Sequence, residues 1–447
     1  MTYSPHTDAD RARMLGAIGI ESVEELFADI PAAVRAADWT VPPPLTEQEV
    51  RAELTRLAGR NRIPEVSFLG AGAYRHLVPA VVMEVIGRPE FATSYTPYQP
   101  EVSQGTLQSI YEFQSLICEL TGMEVASASH YDGATAMAEA ALMACRLTRR
   151  HTVAVSTAVS PDARRVLATY CSGPGVEIVE VPASLDAGSE GVTDPAAAAA
   201  ALGPDVACVV AQQPNFFGQL EPMRELADAV HGAGALLVAV VEPTSLAVLE
   251  PPGTYDADIV AAEGQPLGIP LSFGGPYVGL MASRMEFVRQ MPGRLVGATT
   301  DVAGRRGYVL TLQAREQHIR RERAASNICT NQALMALAAT TYLAAVGPNG
   351  LREVAELSII QARHVTGALE AAGLARRRFD GPYYAEVALD VPDALRRHAA
   401  LAEQGIVAGL PLARDYPELA DTLLLAATEL TTDADVERLV DALAATR

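Results

Sequence analysis

Between residues 124 and 262 the chain alternates short β-branched runs with Ala-rich stretches of helical period, and this alternation restricts the fold more than any other feature. Strand-like runs fall at 124–128, 152–156, 176–181, 206–211, 235–241 and 258–262, and helical ones at 132–147, 162–170, 194–202 and 222–231. The runs are almost continuously apolar, as strands buried on both faces are. Strand and helix in turn then predict a mostly parallel sheet covered on both sides, the α/β class. A chain of 447 residues exceeds the usual span of one core, so one large domain with a satellite is expected. Residues 1–65 read as a charged helical arm broken by Pro42-Pro43-Pro44 and lacking a core of its own. Residues 66–345 hold the α/β domain and close on an arginine-rich stretch, 315–345, that reads as one long helix. Beyond the breaker Gly347-Pro348-Asn349-Gly350, strands at 384–389 and 423–426 and helices at 351–372 and 433–445 predict a smaller α+β domain over 346–447.

The 34 cationic side chains are all arginines; the chain has no lysine. Codon bias explains that at most surface positions. It cannot supply a catalytic amine, and a guanidinium that stays protonated is a poor nucleophile. Any mechanism that needs a side-chain Schiff base is therefore closed to this polypeptide. The net charge of −20 repels phosphate backbones and anionic lipid, so neither nucleic acid nor a membrane surface is an expected partner. Five separated cysteines with no C-x-x-C pair read as reduced, mostly buried thiols, and no metal site is expected. The polar N-terminus lacks a secretory pattern and no uninterrupted apolar run reaches 18 residues, which together point to a cytoplasmic protein.

Open α/β sheets bind ligands where strands end and helices begin. The segment Ser127-Ala128-Ser129-His130-Tyr131-Asp132-Gly133-Ala134-Thr135 is such a turn: Asp132 either caps the helix, filling its free amides and repelling a phosphate, or the amides form a phosphate cradle. Glu242, after the 235–241 strand, is either an acid placed to pair with a pyridinium nitrogen or a solvated loop carboxylate. Two longer segments are more specific. One is Phe68-Leu69-Gly70-Ala71-Gly72-Ala73-Tyr74-Arg75-His76, continuing to Thr93-Ser94-Tyr95-Thr96-Pro97-Tyr98-Gln99-Pro100-Glu101-Val102-Ser103-Gln104-Gly105, which holds two tyrosines on a stiff loop before a helix starting near Ser103. The other runs from Thr311 to Gln332; Glu316 and Arg320 stand i, i+4, as an ion-paired helical face or an interface would have them, and the polar run 326–332 is expected to be buried and hydrogen-bonded.

Those two segments, together with Gly264-Gln265-Pro266-Leu267-Gly268-Ile269-Pro270-Leu271-Ser272-Phe273-Gly274-Gly275-Pro276-Tyr277, resemble the glycine decarboxylase P-protein of the glycine cleavage system. The resemblance runs end to end and is specific to the N-terminal half, or subunit 1, of split bacterial P-proteins. It implies the aspartate aminotransferase fold, type I of the pyridoxal phosphate enzymes, with a mostly parallel seven-stranded sheet. It also implies an oxidoreductase that decarboxylates glycine and passes the aminomethyl group to the lipoyl arm of lipoylated H-protein. In the family's catalytic half an Asp-led strand runs to a His-Lys pair that holds the cofactor. Counted without gaps from Asp258, that pair falls on Gln265-Pro266, so pyridoxal 5'-phosphate would be carried by P-protein subunit 2 and by nothing in this chain. Arg323 stands where the family leads one to expect lysine. Tyr95, Tyr98, Gln99, Glu101 and Ser103 would then reach across to the partner's site, in an α2β2 heterotetramer; alternatively this subunit is a scaffold or regulator that contributes no site residue.

Overall fold

The computed structural model describes residues 5–36 and 42–446. It divides into two compact units, Met1–Arg62 and Ile63–Arg447.

The first unit carries α1 (Asp8–Ile18) and α2 (Glu47–Ala58). Each starts on a reciprocal capping box: Thr7 accepts from the Asp10 amide while Asp10 accepts from the Thr7 amide, and Thr46 and Glu49 repeat the arrangement. Neither helix buries a residue, and Ile18, Leu26, Phe27 and Leu54 stand exposed. Residues 1–4, part of the polar start weighed above, lie outside the described residues.

In the second unit, β1 (Val66–Ser67) is followed by α3 (Ala80–Ile86), α4 (Pro89–Ala92) and the long α5 (Gln104–Thr121). The main sheet then unfolds as β2 (Val125–Ala126), α6 (Gly133–Thr148), β3 (Thr152–Ser156), α7 (Pro161–Ser172), β4 (Glu177–Val181), α8 (Pro195–Ala201), β5 (Val206–Gln213), α9 (Met223–Gly232), β6 (Leu236–Val241), β7 (Ile259–Glu263) and β8 (Gly279–Ser283). Its order is β2-β8-β7-β6-β5-β3-β4. Strands β3 to β7 pair in parallel, whereas β8 runs antiparallel to both its neighbours. Successive side chains leave opposite faces of a strand, and the two cores follow. Val209, Leu237, Ala239 and Val260 enter one with Phe113, Leu226 and Tyr342 of the surrounding helices. Val153, Val210, Val238 and Ala261 enter the other, with Met137, Ala140 and Leu167.

The sequence reading did not contain β8 or the antiparallel hairpin of β9 (Leu295–Thr300) and β10 (Arg306–Thr311). The expected helix over 315–345 is also corrected. Only short turns form before α11 (Ala333–Ala371), α10 (Gln317–Arg320) between 3-10 turns at Gln313–Arg315 and Arg321–Arg323, because Leu312 and Arg321 adopt positive φ of 52° and 54° and the backbone turns back, Ala325 N–H donating to Arg315 C=O at 3.0 Å. Helix α11 is long and apolar enough by composition to cross a bilayer, yet Gly347 (φ 61°, ψ −176°) splits it before Pro348 and half of its apolar window packs into the protein.

The C-terminal sheet, β11 (Arg376–Arg377), β12 (Glu386–Asp390), β13 (Ile406–Val407), β14 (Leu410–Pro411) and β15 (Thr422–Ala426), is ordered β11-β12-β15-β14. Strand β13 stands apart from it and pairs in parallel with β1. Thus Val66 and Phe68 pack with Leu389, Leu425 and Leu439 instead of with the main sheet. Helices α12 (Ala394–Ala402) and α13 (Asp433–Ala445) complete this layer. Gly218, at φ +83°, passes so close to Glu386 that a Cβ would lie 2.0 Å from its carbonyl oxygen, which fixes glycine where the main sheet's β5–α9 connection meets β12.

Candidate functional site

The C-terminal ends of β5, β6 and β7 and the first turn of α6 enclose a cleft of about 550 Å3, roofed by residues 70–74 and by Tyr277. It lies where a doubly wound sheet binds its ligand. Asp132 caps α6: its Oδ1 accepts from Thr135 N–H at 2.8 Å. The next free amide, Gly133 N–H, is taken by Glu263 at the end of β7, whose Oε2 accepts it at 2.9 Å while Oε1 accepts from Gln265 N–H at 2.9 Å. The approach requires glycine, since a Cβ on residue 133 would sit 2.6 Å from the Glu263 nitrogen. Sequence reasoning missed Glu263 because the strand was ended at Ala262, one residue short.

Burial pushes the Glu263 carboxyl up to about 7, against the backbone donors that hold it down and with the nearby Asp132 charge adding to the rise. The folded value lies above the unfolded 4.5, so the buried anion costs nothing below about pH 4.5 and destabilises progressively as pH rises through about 7. Glu263→Gln removes that slope. Discounting for solvent at the half-open cleft, its stability relative to the parent chain is expected to gain about 2 kcal/mol between about pH 5 and about pH 8; melting curves at the two pH values with no relative change would contradict the assignment.

Glu242 lines the cleft and is not a solvated loop acid. It caps its own 3-10 turn, accepting from Thr244 N–H at 3.1 Å, Ser245 N–H at 2.7 Å and the Thr244 hydroxyl at 2.8 Å, and burial pushes it upward. Pro266 lines the cleft, and Gln265 is buried beside it. The Gln265 amide clamps the roof strand by strand-like bonds, accepting from Tyr74 N–H at 2.8 Å and donating to Tyr74 C=O at 2.9 Å and Ile269 C=O at 2.8 Å. Pro266 has no amine and no N–H. A pyridoxal phosphate cradle needs an amine for the aldehyde and open amides for the phosphate. Here the amine is absent and carboxylates take two of the first α6 amides, those of Gly133 and Thr135. The residues present do not fit that cofactor.

The loop before α5 lies elsewhere, against the β9–β10 hairpin. Tyr95 is 69% exposed and its hydroxyl has no hydrogen-bond partner among the described residues. Tyr98 is 52% exposed, accepts from Arg294 Nη2 at 2.9 Å, lies 5.4 Å from that guanidinium and meets the His318 ring edge-on. Gln99 and Glu101 are exposed, and Ser103 precedes α5 without a side-chain capping bond. Gln104 ties this loop to β10, donating to the carbonyls of Pro100 at 2.7 Å and Tyr308 at 2.9 Å. Glu316 does not pair with Arg320; its Oε2 faces the buried Arg294 at 3.8 Å and His318 at 3.7 Å. The polar run 326–332 is mixed: Ser326 donates to Glu139 at 2.7 Å and Asn331 to the Ser129 hydroxyl at 2.8 Å, while Asn327 and Cys329 are exposed. Of the five cysteines, Cys145, Cys171 and Cys208 are buried, Cys118 is half-buried, and none forms a disulfide. Among the described residues no cluster of His, Cys, Asp or Glu could hold a metal.

Residues 1–443 match the family model of the glycine cleavage system P-protein. The chain is 54% identical over 447 residues to the probable glycine dehydrogenase (decarboxylating) subunit 1 of Moorella thermoacetica, covering 99% of each chain. It superposes on a crystal structure of glycine decarboxylase (P-protein) of the glycine cleavage system, in inhibitor-bound form, with a TM-score of 0.90, 45% identity and full coverage of both chains. Its fold is shared, at 13% identity and a TM-score of 0.70, with a Lactobacillus brevis glutamate decarboxylase that covers 94% of this chain and is covered over 96% of its own length. The chain therefore belongs to the glycine cleavage system P-protein family, among its glycine dehydrogenase (decarboxylating) subunit 1 members, and has the type I pyridoxal phosphate enzyme fold.

Proposed function

We propose that this chain works only beside a subunit 2 that carries the pyridoxal phosphate, and that the pair decarboxylates glycine and transfers the aminomethyl group to the lipoyl arm of H-protein. The observation that carries this reading is the partly occupied cleft: Pro266 in place of an amine, and Asp132 and Glu263 on the Thr135 and Gly133 amides that a phosphate would use. The cofactor, on the partner, supplies the electron sink for the carboxyl loss. This chain's part is to close the partner's site from the side. Tyr95 and Tyr98 offer hydroxyls on a loop stiffened by Pro97, with Gln99, Glu101 and Ser103 beside them. The uncovered apolar residues of α1, α2 and the intervening segment suit a surface that closes on a neighbour, in a cytoplasmic α2β2 assembly. The scaffold reading is favoured by one observation, that Tyr98 is already engaged by Arg294.

A cleft occupied by its own carboxylates makes a specific prediction. Pro266→Lys restores an amine but not the phosphate amides, so incubation with pyridoxal phosphate and borohydride is expected to leave no adduct at Lys in the cleft beyond that on surface amines of a control protein. A stoichiometric adduct there, found by peptide mass mapping, would show that the cradle is intact and the reading wrong.

A further inference from the structure

A second cavity, of about 410 Å3, lies between the C-terminal end of α6, the 3-10 turn Met285–Gln290 and the strap of residues 312–325. Five arginines line it, Arg146, Arg289, Arg315, Arg320 and Arg323, and no Asp or Glu does. That is an unusual density of one sign in a chain of net charge −20 with 54 acidic residues to draw on. Neither Arg146, Arg289, Arg315 nor Arg320 has a carboxylate within 4.0 Å among the described residues, and Arg323 touches only the exposed Glu322, at 4.0 Å. The bonds they do make go to backbone carbonyls: Arg146 Nη2 to Gln290 at 3.2 Å, Arg320 Nε to Ala314 at 3.0 Å, and Arg315 Nη1 to Met291. The Nε of Arg146 and both Nε and Nη2 of Arg315 are sealed from solvent with no acceptor among the described residues.

A guanidinium cannot shed its proton to escape burial, so a sealed cationic N–H without an acceptor is an unmet demand. Like charges gathered around one cavity also repel one another, Arg146 and Arg315 half-buried and Arg289, Arg320 and Arg323 exposed. Burial pulls the pKa of Arg146 and of Arg315 downward, with Glu139 and Glu316 the acids that oppose it. One ligand class answers the clustering of charge: an anion of at least two charges, with several oxygens to spread over the guanidinium donors that the cavity exposes.

We infer that the arginine-lined cavity is a binding site for a small oxyanion, a phosphate or a dicarboxylate. It belongs to neither the occupied cleft nor the tyrosine loop, and it stands whether or not subunit 2 holds the cofactor. An anion seated there bridges α6, the turn at Met285–Gln290 and the strap, whose Glu316 faces Arg294. Occupancy therefore fixes the segment that orients Tyr98.

The test is calorimetric titration of the full chain with inorganic phosphate and, separately, with succinate, in zwitterionic buffer at constant ionic strength. Saturable binding of at least one is expected, together with a rise in melting temperature; tighter phosphate assigns the source to a phosphorylated compound, tighter succinate to a carboxylate one. Arg315→Gln is expected to abolish binding. Because a buried replacement can unsettle the strap, the exposed pair Arg320→Gln/Arg323→Gln serves as the second variant, expected to weaken binding about tenfold with an unchanged melting temperature in the absence of anion. The inference is overturned if neither anion binds by about 50 mM, a limit beyond which affinity is negligible, or if binding is the same in both variants.

Discussion

Tyr95→Phe in the reconstituted two-subunit enzyme is expected to lower the exchange of glycine carboxyl with bicarbonate by about 100-fold, the loss that follows when one hydrogen-bond donor is removed from developing charge. Tyr95 is the cleaner of the two tyrosines for this purpose, because its hydroxyl has no partner among the described residues and the residue is 69% exposed. Removing the oxygen leaves this subunit's own packing as it is. Tyr98→Phe carries a second effect, since it strips the acceptor from Arg294 Nη2. Its exchange rate is expected to fall as well, with a small loss of stability that Tyr95→Phe does not show. If exchange is unchanged in both variants, the loop only packs an interface and the subunit is a scaffold.

The largest stability effect is expected at Arg294. Its side chain is 6% exposed and that of Glu316 is 9% exposed, so the two charges neutralise one another in a nearly dry place. Their geometry is loose. The contact is 3.8 Å, and neither Arg294 Nε nor Glu316 Oε1 makes a hydrogen bond. The pair is therefore held by charge more than by directed bonding, and removing Arg294 leaves a buried carboxylate with only the His318 ring, at 3.7 Å, within ion-pair distance among the described residues. Arg294→Met is expected to cost about 3–5 kcal/mol, read from denaturant unfolding of the chain. Adding Glu316→Gln to that variant is expected to restore more than half of the loss, which separates the stranded charge from lost packing. A single-variant cost below about 1 kcal/mol would mean that water reaches Glu316 and that the pair contributes little.

The parts of the fold that the sequence discloses are those where side-chain periodicity and burial agree. Strand β3 occupies 152–156 as its β-branched run predicts, and α13 occupies 433–445, started by the Thr432–Asp435 capping box. Strand β8 went unseen because Gly279-Leu280-Met281-Ala282-Ser283 has no β-branched residue; it is a strand because β2 and β7 offer it two ladders in a fully buried place. The stretch after Arg315 misleads in the opposite direction. Its Arg, Glu, Gln and Ala residues favour helix intrinsically, but the segment meets its bonding needs through distant partners, Ser326 with Glu139 and Asn331 with Ser129, which no local pattern reveals. Among site features, the missing amine at Pro266 was legible because it is a matter of residue identity alone. The Gln265 clamp and the Glu263 contact with Gly133 were not, since each joins residues more than a hundred positions apart.

Carbon dioxide release from carboxyl-labelled glycine, measured for the purified chain alone with added pyridoxal phosphate and lipoylated H-protein and again after addition of subunit 2, puts the dependence on a partner's cofactor to the most direct trial. The chain alone is expected to release no more than the protein-free control, and the reconstituted pair to turn over. Release above that control by the chain alone, free of subunit 2 by mass spectrometry, would contradict the account.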